Sequence, residues 1–257
     1  MCLILFAWRA HAAYPLLLAA NRDEYFNRAA APLHEWPDAP GLFAGRDLIG
    51  GGAWLGFHRN GRFAALTNYR DPARFNAQAP SRGALVADYL RSDCEPQRYL
   101  QQIDAAACNG FNLLLGDQRR LIVYNNINHQ QQELQPGLYG LANGIDAAGF
   151  PKVDSGVAAL GAALELKDAA AMEAAMLQLL RDERTHADHL LAASGVPIEV
   201  ERRLSAAFIR GPEYGSRCST LLCIGVDAGV VIDEITWGSA AAQQGRRRYR
   251  LTMQQTR

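Results

Sequence analysis

The sequence lacks an excess of charge of either sign, since its 257 residues include 26 Lys and Arg and 26 Asp and Glu. A chain without net charge has no long-range field to attract nucleic acid or an anionic membrane, so we expect neither as a partner. A long hydrophobic run is also lacking. The apolar stretch at residues 2–8 is far shorter than the about 20 residues that span a bilayer, and no basic segment leads into it, as a signal peptide requires. We therefore predict a cytoplasmic protein without stable membrane insertion.

The cysteine pattern argues against two further classes of protein. The chain has 5 cysteines, an odd number without any C-x-x-C pair, so neither a disulfide framework nor a zinc site is predicted. Reduced thiols in a reducing compartment fit this pattern. His186 and His189 lie three residues apart on a predicted helix, but an ordinary surface helix is a stronger interpretation than a metal site.

Strand signals dominate what is present. Apolar residues make up 49% of the chain, which is enough for a sizeable core, and we predict a single domain over residues 1–257. The clearest hairpin has Asn60-Gly61 at its turn, because both residues tolerate positive φ. The predicted strands are residues 3–9, 14–20, 53–57, 62–68, 111–115, 120–124, 137–143, 217–224, 230–236 and 249–253.

Helical spacing is confined to fewer segments. It predicts helices over residues 82–92 and 96–107, two helices between 153 and 184 that break near Lys167-Asp168, and short helices within 185–208. Strands and helices do not alternate as they do in a doubly wound parallel sheet. We predict an α+β fold of antiparallel sheets with separate helix layers.

Cys2 is the main candidate for chemistry. Methionine removal generally requires a small second residue, and cysteine is small enough. Removal would leave a thiol with a pKa of about 8.5 beside an α-amine with a pKa of about 7.7–8.0. That amine acts as the general base for its own side chain, as in N-terminal threonine enzymes. An incidental cysteine at the second position is the alternative interpretation.

The first predicted hairpin brings polar residues to Cys2. If residues 10–13 form the turn, Cys2 lies opposite Asn21, and Arg22 and Asp23 follow directly. A cation there lowers the pKa of a thiol, and a carboxylate holds or orients an amine. Successive strand residues point to opposite faces, so Arg22 and Asp23 both reach Cys2 only if the chain bends or bulges. A plain charged strand end is the alternative interpretation.

An ordered set of short motifs runs from residue 1 to about residue 225. The motifs are Met1-Cys2, Asn21-Arg22-Asp23-Glu24, Thr67-Asn68-Tyr69-Arg70, Tyr139-Gly140-Leu141-Ala142-Asn143, Pro151-Lys152-Val153 and Tyr214-Gly215-Ser216-Arg217. In these motifs the chain resembles the NRDE family, which includes the transport and Golgi organisation protein 2 homologues. The resemblance implies a four-layer αββα sandwich like that of N-terminal-nucleophile hydrolases, which cleave amide bonds.

The resemblance also implies roles for individual residues. Cys2 would be the nucleophile, Arg22 would stabilise its thiolate, and Asp23 would contact the α-amine. Asn143, with Asn68 as a second candidate, would donate to an oxyanion, an interaction worth about 10²–10³-fold in rate. Arg217 would brace the site or meet an anionic group of the substrate.

The same family implies a function without catalysis. Its members have been linked to haem mobilisation and to acyl-CoA or lipid homeostasis, so the pocket would carry haem or an acyl-type small-molecule ligand. The C-x-x-C-H pattern of covalent haem attachment is missing. Weak, reversible ligation needs no motif, and the candidate axial ligands are His34, His58, His129 and Cys2. Hydrolysis through Cys2 would require no cofactor.

Overall fold

Two antiparallel sheets form the centre of the computed structural model, which describes residues 2–144, 150–191 and 195–254. One sheet has the strand order β10-β1-β2-β11-β12-β13 and the other runs β3-β4-β5-β6-β7-β8-β9. The strands are β1 (Cys2–His11), β2 (Tyr14–Tyr25), β3 (Ala30–Glu35), β4 (Leu42–Asp47), β5 (Leu55–His58), β6 (Phe63–Asn68), β7 (Phe111–Gly116), β8 (Leu121–Asn125), β9 (Gln130–Glu133), β10 (Gly137–Leu141), β11 (Tyr214–Ile224), β12 (Gly229–Trp237) and β13 (Gln243–Thr252).

The helices flank this pair of sheets. Proline occupies the first turn of α2 and α3, where its missing N–H has no partner to lose, and Asp168 caps α4 by accepting from Ala171 N. The helices are α1 (Gly83–Arg91), α2 (Pro96–Leu100), α3 (Pro151–Leu164), α4 (Ala169–Leu179) and α5 (Ile198–Leu204). Within the described ranges, no helix is both long and apolar enough to cross a bilayer.

The alternation of β1 explains the layers. Its even-numbered residues Ile4, Phe6 and Trp8 lie in the core between the two sheets, whereas the odd-numbered Leu3 and Leu5 pack in a second core with α3 and α4. A third core lies between the other sheet and helices α1 and α2. The order of layers is therefore helix, sheet, sheet, helix, as predicted.

Most predicted elements are confirmed, with changes at their ends. The predicted helix over 96–107 was too long, because α2 ends at Leu100 and a separate 3₁₀ turn forms at Ala105–Ala107, where Asp104 accepts from Ala107 N. The break near Lys167-Asp168 is confirmed by the Asp168 cap. The strand predicted at 249–253 begins earlier, at Gln243, because β13 pairs along β12 from Trp237 onward.

The register predicted for the first hairpin was wrong by one residue. Cys2 pairs with Arg22, and Leu3 pairs with Asn21. The turn is shorter than predicted, since His11 already pairs with Tyr14, and the pairing shifts between Trp8 and His11. Arg9 in this interval has φ of 47°, as expected of an irregular residue that changes strand register.

Candidate functional site

A cavity of about 420 Å³ opens between the two sheets at the end where β1 begins. Cys2, Arg22, Asp23 and Asn68 all line it. Most of the rest of its wall comes from the loop between β4 and β5 and from the segment 75–83 at the start of α1. Four of the six predicted site residues therefore meet in one place, although they are separated by up to 66 positions in sequence.

Cys2 and Arg22 face each other across two neighbouring strands. They are register partners, and both belong to the even-numbered face that points between the sheets. Arg22 is buried, with its guanidinium carbon 4.7 Å from the centre of the Trp54 ring and Nη2 3.8 Å from Glu24 Oε2. Burial raises the pKa of the Cys2 thiol, Asp23 raises it further, and Arg22 lowers it. The thiol is therefore the favoured form at neutral pH in the described arrangement.

Asp23 lines the same cavity, and the strand beside it contains a bulge. The pairing of β2 with β11 shifts between Ser216 and Cys218, so Arg217 is an extra residue opposite Arg22 and Asp23. Ser216 then donates to Asp23 Oδ1 at 2.6 Å, and the Tyr214 hydroxyl donates to the Asp23 carbonyl at 3.2 Å. A bend or bulge was expected at Arg22 and Asp23 in β2. The structure has the bulge in the neighbouring strand β11.

Lys152 is a buried residue close enough to Asp23 to affect its pKa, and no role was predicted for it from the sequence. It lies in the first turn of α3 with 1% exposure, and its Nζ donates to Leu204 O at 3.0 Å and Ala206 O at 3.4 Å. Burial lowers the pKa of Lys152 and the charge of Asp23 opposes that shift. Burial likewise raises the pKa of Asp23, and Lys152 is the largest opposing influence. The available signals were the Pro151-Lys152-Val153 motif and a lysine at the start of an alanine-rich helix.

Asn143 contacts the site from outside the cavity wall. Its Nδ2 donates to Asn68 O at 2.6 Å, and its buried Oδ1 has no hydrogen-bond partner among the residues described. The Asn143 amide N–H₂ is thus engaged with backbone, whereas the Asn68 side chain lines the cavity. Both assignments as oxyanion donors stay predictions.

Arg217 lies away from the Cys2 cavity and lines a smaller cleft with Arg22, Trp54, Cys218 and Glu234. Its Nη1 donates to Tyr25 O at 2.7 Å and Arg28 O at 3.0 Å. These bonds tie the bulge to the chain that leaves β2. They fit the bracing role that was predicted as one of its two alternatives.

Two further arginines line the cavity and were not singled out from the sequence. Arg28 Nη2 lies 2.6 Å from Asp47 Oδ2, and Arg28 Nε lies 3.8 Å from Glu24 Oε2. Arg82 donates from Nη1 to Gly110 O at 2.9 Å. Neither residue lies in a sequence motif with a recognised chemical role. Only the fold brings residues 28 and 82 to the mouth of the cavity.

The histidines that were candidate haem ligands lie elsewhere. His34, His58 and His129 do not line the Cys2 cavity. No group of three or more His, Cys, Asp or Glu side chains with the spacing of a metal site occurs in the described part of the chain. Cys2 is the one predicted axial ligand that reaches the cavity. Met1, on whose removal the nucleophile hypothesis depends, lies outside the described residues.

Solved structures with a similar fold include two hydrolases. A Caenorhabditis elegans ortholog of N-acylethanolamine-hydrolyzing acid amidase matches with a TM-score of 0.48 and 9% identity, covering 86% of this chain and 92% of that one. A mutant conjugated bile acid hydrolase from Clostridium perfringens matches with a TM-score of 0.46 and 9% identity, covering 98% of this chain and 92% of that one.

Sequence comparison gives stronger matches. The homologue of Transport and Golgi organization protein 2 from Bos taurus is 34% identical over 255 residues, covering 91% of this chain and 92% of the relative. The Homo sapiens homologue is 31% identical with the same coverage. Residues 1–239 match the family described as Transport and Golgi organisation 2. The chain therefore belongs to the Transport and Golgi organisation 2 family.

Proposed function

We propose that this protein hydrolyses an amide or related acyl bond with Cys2 as an N-terminal nucleophile. The observation that carries the proposal is the position of Cys2, at the start of an interior strand, facing a cavity of about 420 Å³ with Arg22 directly opposite. A nucleophile needs both access to substrate and a charged neighbour that favours its thiolate.

The chemistry requires Met1 to be removed. The Cys2 α-amine takes the thiol proton, and the thiolate attacks the carbonyl carbon to form a C–S bond and an oxyanion. Collapse breaks the C–N bond, and the ammonium gives its proton to the leaving amine. Water then attacks the acyl thioester while the α-amine takes the water's proton. The C–S bond breaks, the carboxylic acid leaves, and the ammonium returns a proton to the thiolate.

The neighbouring residues have complementary roles in this proposal. Arg22 lowers the pKa of the thiol against the effect of burial, and Asp23 faces the ammonium. Asn68 donates to the oxyanion from the cavity wall. The buried Oδ1 of Asn143 is an acceptor suited to the ammonium rather than a donor suited to an oxyanion. Lys152 opposes the rise in pKa that burial imposes on the Asp23 carboxyl.

The first test combines mass and mutation. We expect the intact mass of the native protein to show loss of Met1, and Cys2→Ala to lower the turnover of acyl-amide and acyl-thioester panels by about 10³-fold or more. Cys94→Ala is the matched control, because Cys94 is a free thiol that does not line the cavity. Retention of Met1 in active protein, or unchanged turnover by Cys2→Ala, would remove Cys2 as the nucleophile.

A second candidate function is non-catalytic carriage of haem or an acyl-CoA or lipid-type ligand. The observation that favours it is the apolar rim, where Ile49 and Phe75 both line the cavity and are each 65% exposed. Saturable binding of haem, followed by its Soret band, or of a fatty acyl-CoA would support this function if Cys2→Ala retained the binding and no panel substrate were hydrolysed. Absence of saturable binding at micromolar protein would argue against it.

A further inference from the structure

Asp23, Glu24 and Asp47 line the cavity together with its arginines, but not every arginine has a carboxylate at close range. Three arginines line it, and two of them have carboxylate partners: Arg22 lies 3.8 Å from Glu24, and Arg28 lies 2.6 Å from Asp47. Arg82 has no carboxylate within 4.0 Å in the part of the chain that the structure describes. It therefore brings positive charge to the cavity that no neighbouring carboxylate neutralises at close range.

Arg82 is also held in a fixed position. It directly precedes α1, whose Val86, Tyr89 and Leu90 are fully buried against the second sheet. The backbone at this point packs so closely that a Cβ added at Gly52 would lie 2.2 Å from the Gly83 carbonyl carbon. The described hydrogen bond from its side chain runs from Nη1 to Gly110 O, which leaves other N–H groups of the guanidinium for a ligand.

The position of Arg82 relative to Cys2 limits what it recognises. Both residues line the same cavity, and Cys2 exerts the largest charge influence opposing the fall in pKa that burial imposes on Arg82. An anion bound to Arg82 would therefore share this cavity with the bond that Cys2 attacks. The rim residues Ile49 and Phe75 provide an apolar surface for the remainder of the same molecule.

We propose that Arg82 binds a carboxylate of the substrate, and that the substrate class is N-acyl amino acids with a long apolar acyl chain. The inference rests on the proposed hydrolysis at Cys2 and adds its specificity. An α-carboxylate lies two bonds from the amide nitrogen, so a substrate whose amide faces Cys2 would carry its carboxylate into the cavity that Arg82 also lines. Arginine suits this role because its planar fork binds carboxylates through two parallel hydrogen bonds.

The test compares two ligands that differ in one group. N-lauroylglycine and N-lauroylethanolamine share an acyl chain and an amide, and the first has a carboxylate where the second has a hydroxymethyl group. We expect Arg82→Met to lower kcat/KM for N-lauroylglycine by about 10- to 100-fold and that for N-lauroylethanolamine by less than about threefold. Arg82→Lys should restore part of the loss. Arg74→Met, at an exposed arginine outside the cavity wall, should change neither value.

Equal losses for both ligands would overturn the proposal, because they would mean that Arg82 acts on the thiolate or on the fold. The ratio of the two kcat/KM values in the unmodified protein gives the same answer if Arg82→Met does not fold: a ratio near one overturns the proposal.

Calorimetric titration of Cys2→Ala with both ligands separates this proposal from the proposed hydrolysis. Tighter binding of N-lauroylglycine that depends on Arg82, without hydrolysis by the unmodified protein, would support the ligand class and overturn the catalytic role. Hydrolysis of both ligands without preference, or equal binding of both, would overturn the ligand class alone.

Discussion

Strand β2 contains two regions that are equally buried and differently stabilised. Residues 16–20 are all apolar, and they fill the core between the sheets on one face and the core against α3 and α4 on the other. Residues 21–23 continue the same strand between the same neighbours, yet each is polar. Burial alone stabilises the first region, whereas each residue of the second needs a partner of suitable chemistry.

The partners of the polar region come from distant parts of the chain. Asn21 donates to Leu180 O at 2.7 Å and Ala207 O at 2.8 Å, and it accepts from Ser219 Oγ at 2.6 Å. Asp23 accepts from Ser216. Because these partners lie between 159 and 198 positions away, the polar region forms only when the whole sandwich is assembled.

The largest effect is expected in the apolar region. Leu18 is fully buried between the sheets, opposite Phe6. Leu18→Ala removes buried apolar surface and leaves a cavity, so we expect the free energy of unfolding to fall by about 2–5 kcal/mol in urea denaturation. Val226→Ala, at a residue that is 69% exposed, should change it little. A loss below about 1 kcal/mol for Leu18→Ala would contradict the view that this region is held by packing.

A smaller loss is expected in the polar region. Asn21→Leu keeps a similar side-chain volume but leaves the carbonyls of Leu180 and Ala207 without their donor. We expect the free energy of unfolding to fall by about 1–3 kcal/mol for this desolvation penalty. Asn27→Leu is the control, since Asn27 is exposed just beyond β2. If Asn21→Leu were as stable as the unmodified protein, these hydrogen bonds would not stabilise the strand end.

The smallest effect is a dependence on pH at the border of the two regions. Ala20 pairs with Thr220, and Glu234 beside it accepts from Thr220 Oγ1 and from Leu33 N. Burial raises the pKa of Glu234 above its ordinary value of 4.5, so folding favours the neutral acid. The stability this provides is present below about pH 4.5 and is lost as pH rises through the folded-state pKa.

Glu234→Gln should therefore gain stability relative to the unmodified protein as pH increases. We expect the difference in free energy of unfolding to grow by up to about 1.4 kcal/mol per pH unit between the unfolded and folded pKa values. Urea denaturation of both proteins from about pH 4 to about pH 8 measures this difference. A difference that stays constant with pH would mean that Glu234 titrates alike in the folded and unfolded chains.

The sequence predicted the apolar parts of the fold well because their signals are local. Alternation and the Asn60-Gly61 turn identified β1, β2, β5 and β6 without knowledge of any partner. The register of β1 against β2 was missed by one residue, because it depends on a shift near Arg9 that no turn residue announces. The end of α2 was missed for a similar reason, since Asp104 starts a separate turn.

The candidate site was predictable only where residues adjoin Cys2 along the hairpin or belong to a motif. Arg22 and Asp23 followed from connectivity, and Asn68 came from the family resemblance. Lys152 belongs to the motif Pro151-Lys152-Val153 but no role was predicted for it, and Arg82 lies in no motif, since a lysine or arginine at a helix start is commonly solvated. The contacts that distinguish them, with Leu204 O and Gly110 O, are made across the fold.

The extra residue in β11 has a consequence for which changes this protein tolerates. Arg217 is the one residue of β11 that has no partner in β2, and the strand pairs regularly on either side of it. Deleting one residue here would turn Tyr214 and Ser216 to the opposite face and take the hydroxyl of Ser216 away from Asp23. The length of β11 is therefore as constrained as its sequence at this point. Insertions or deletions among relatives should fall in loops rather than in this strand.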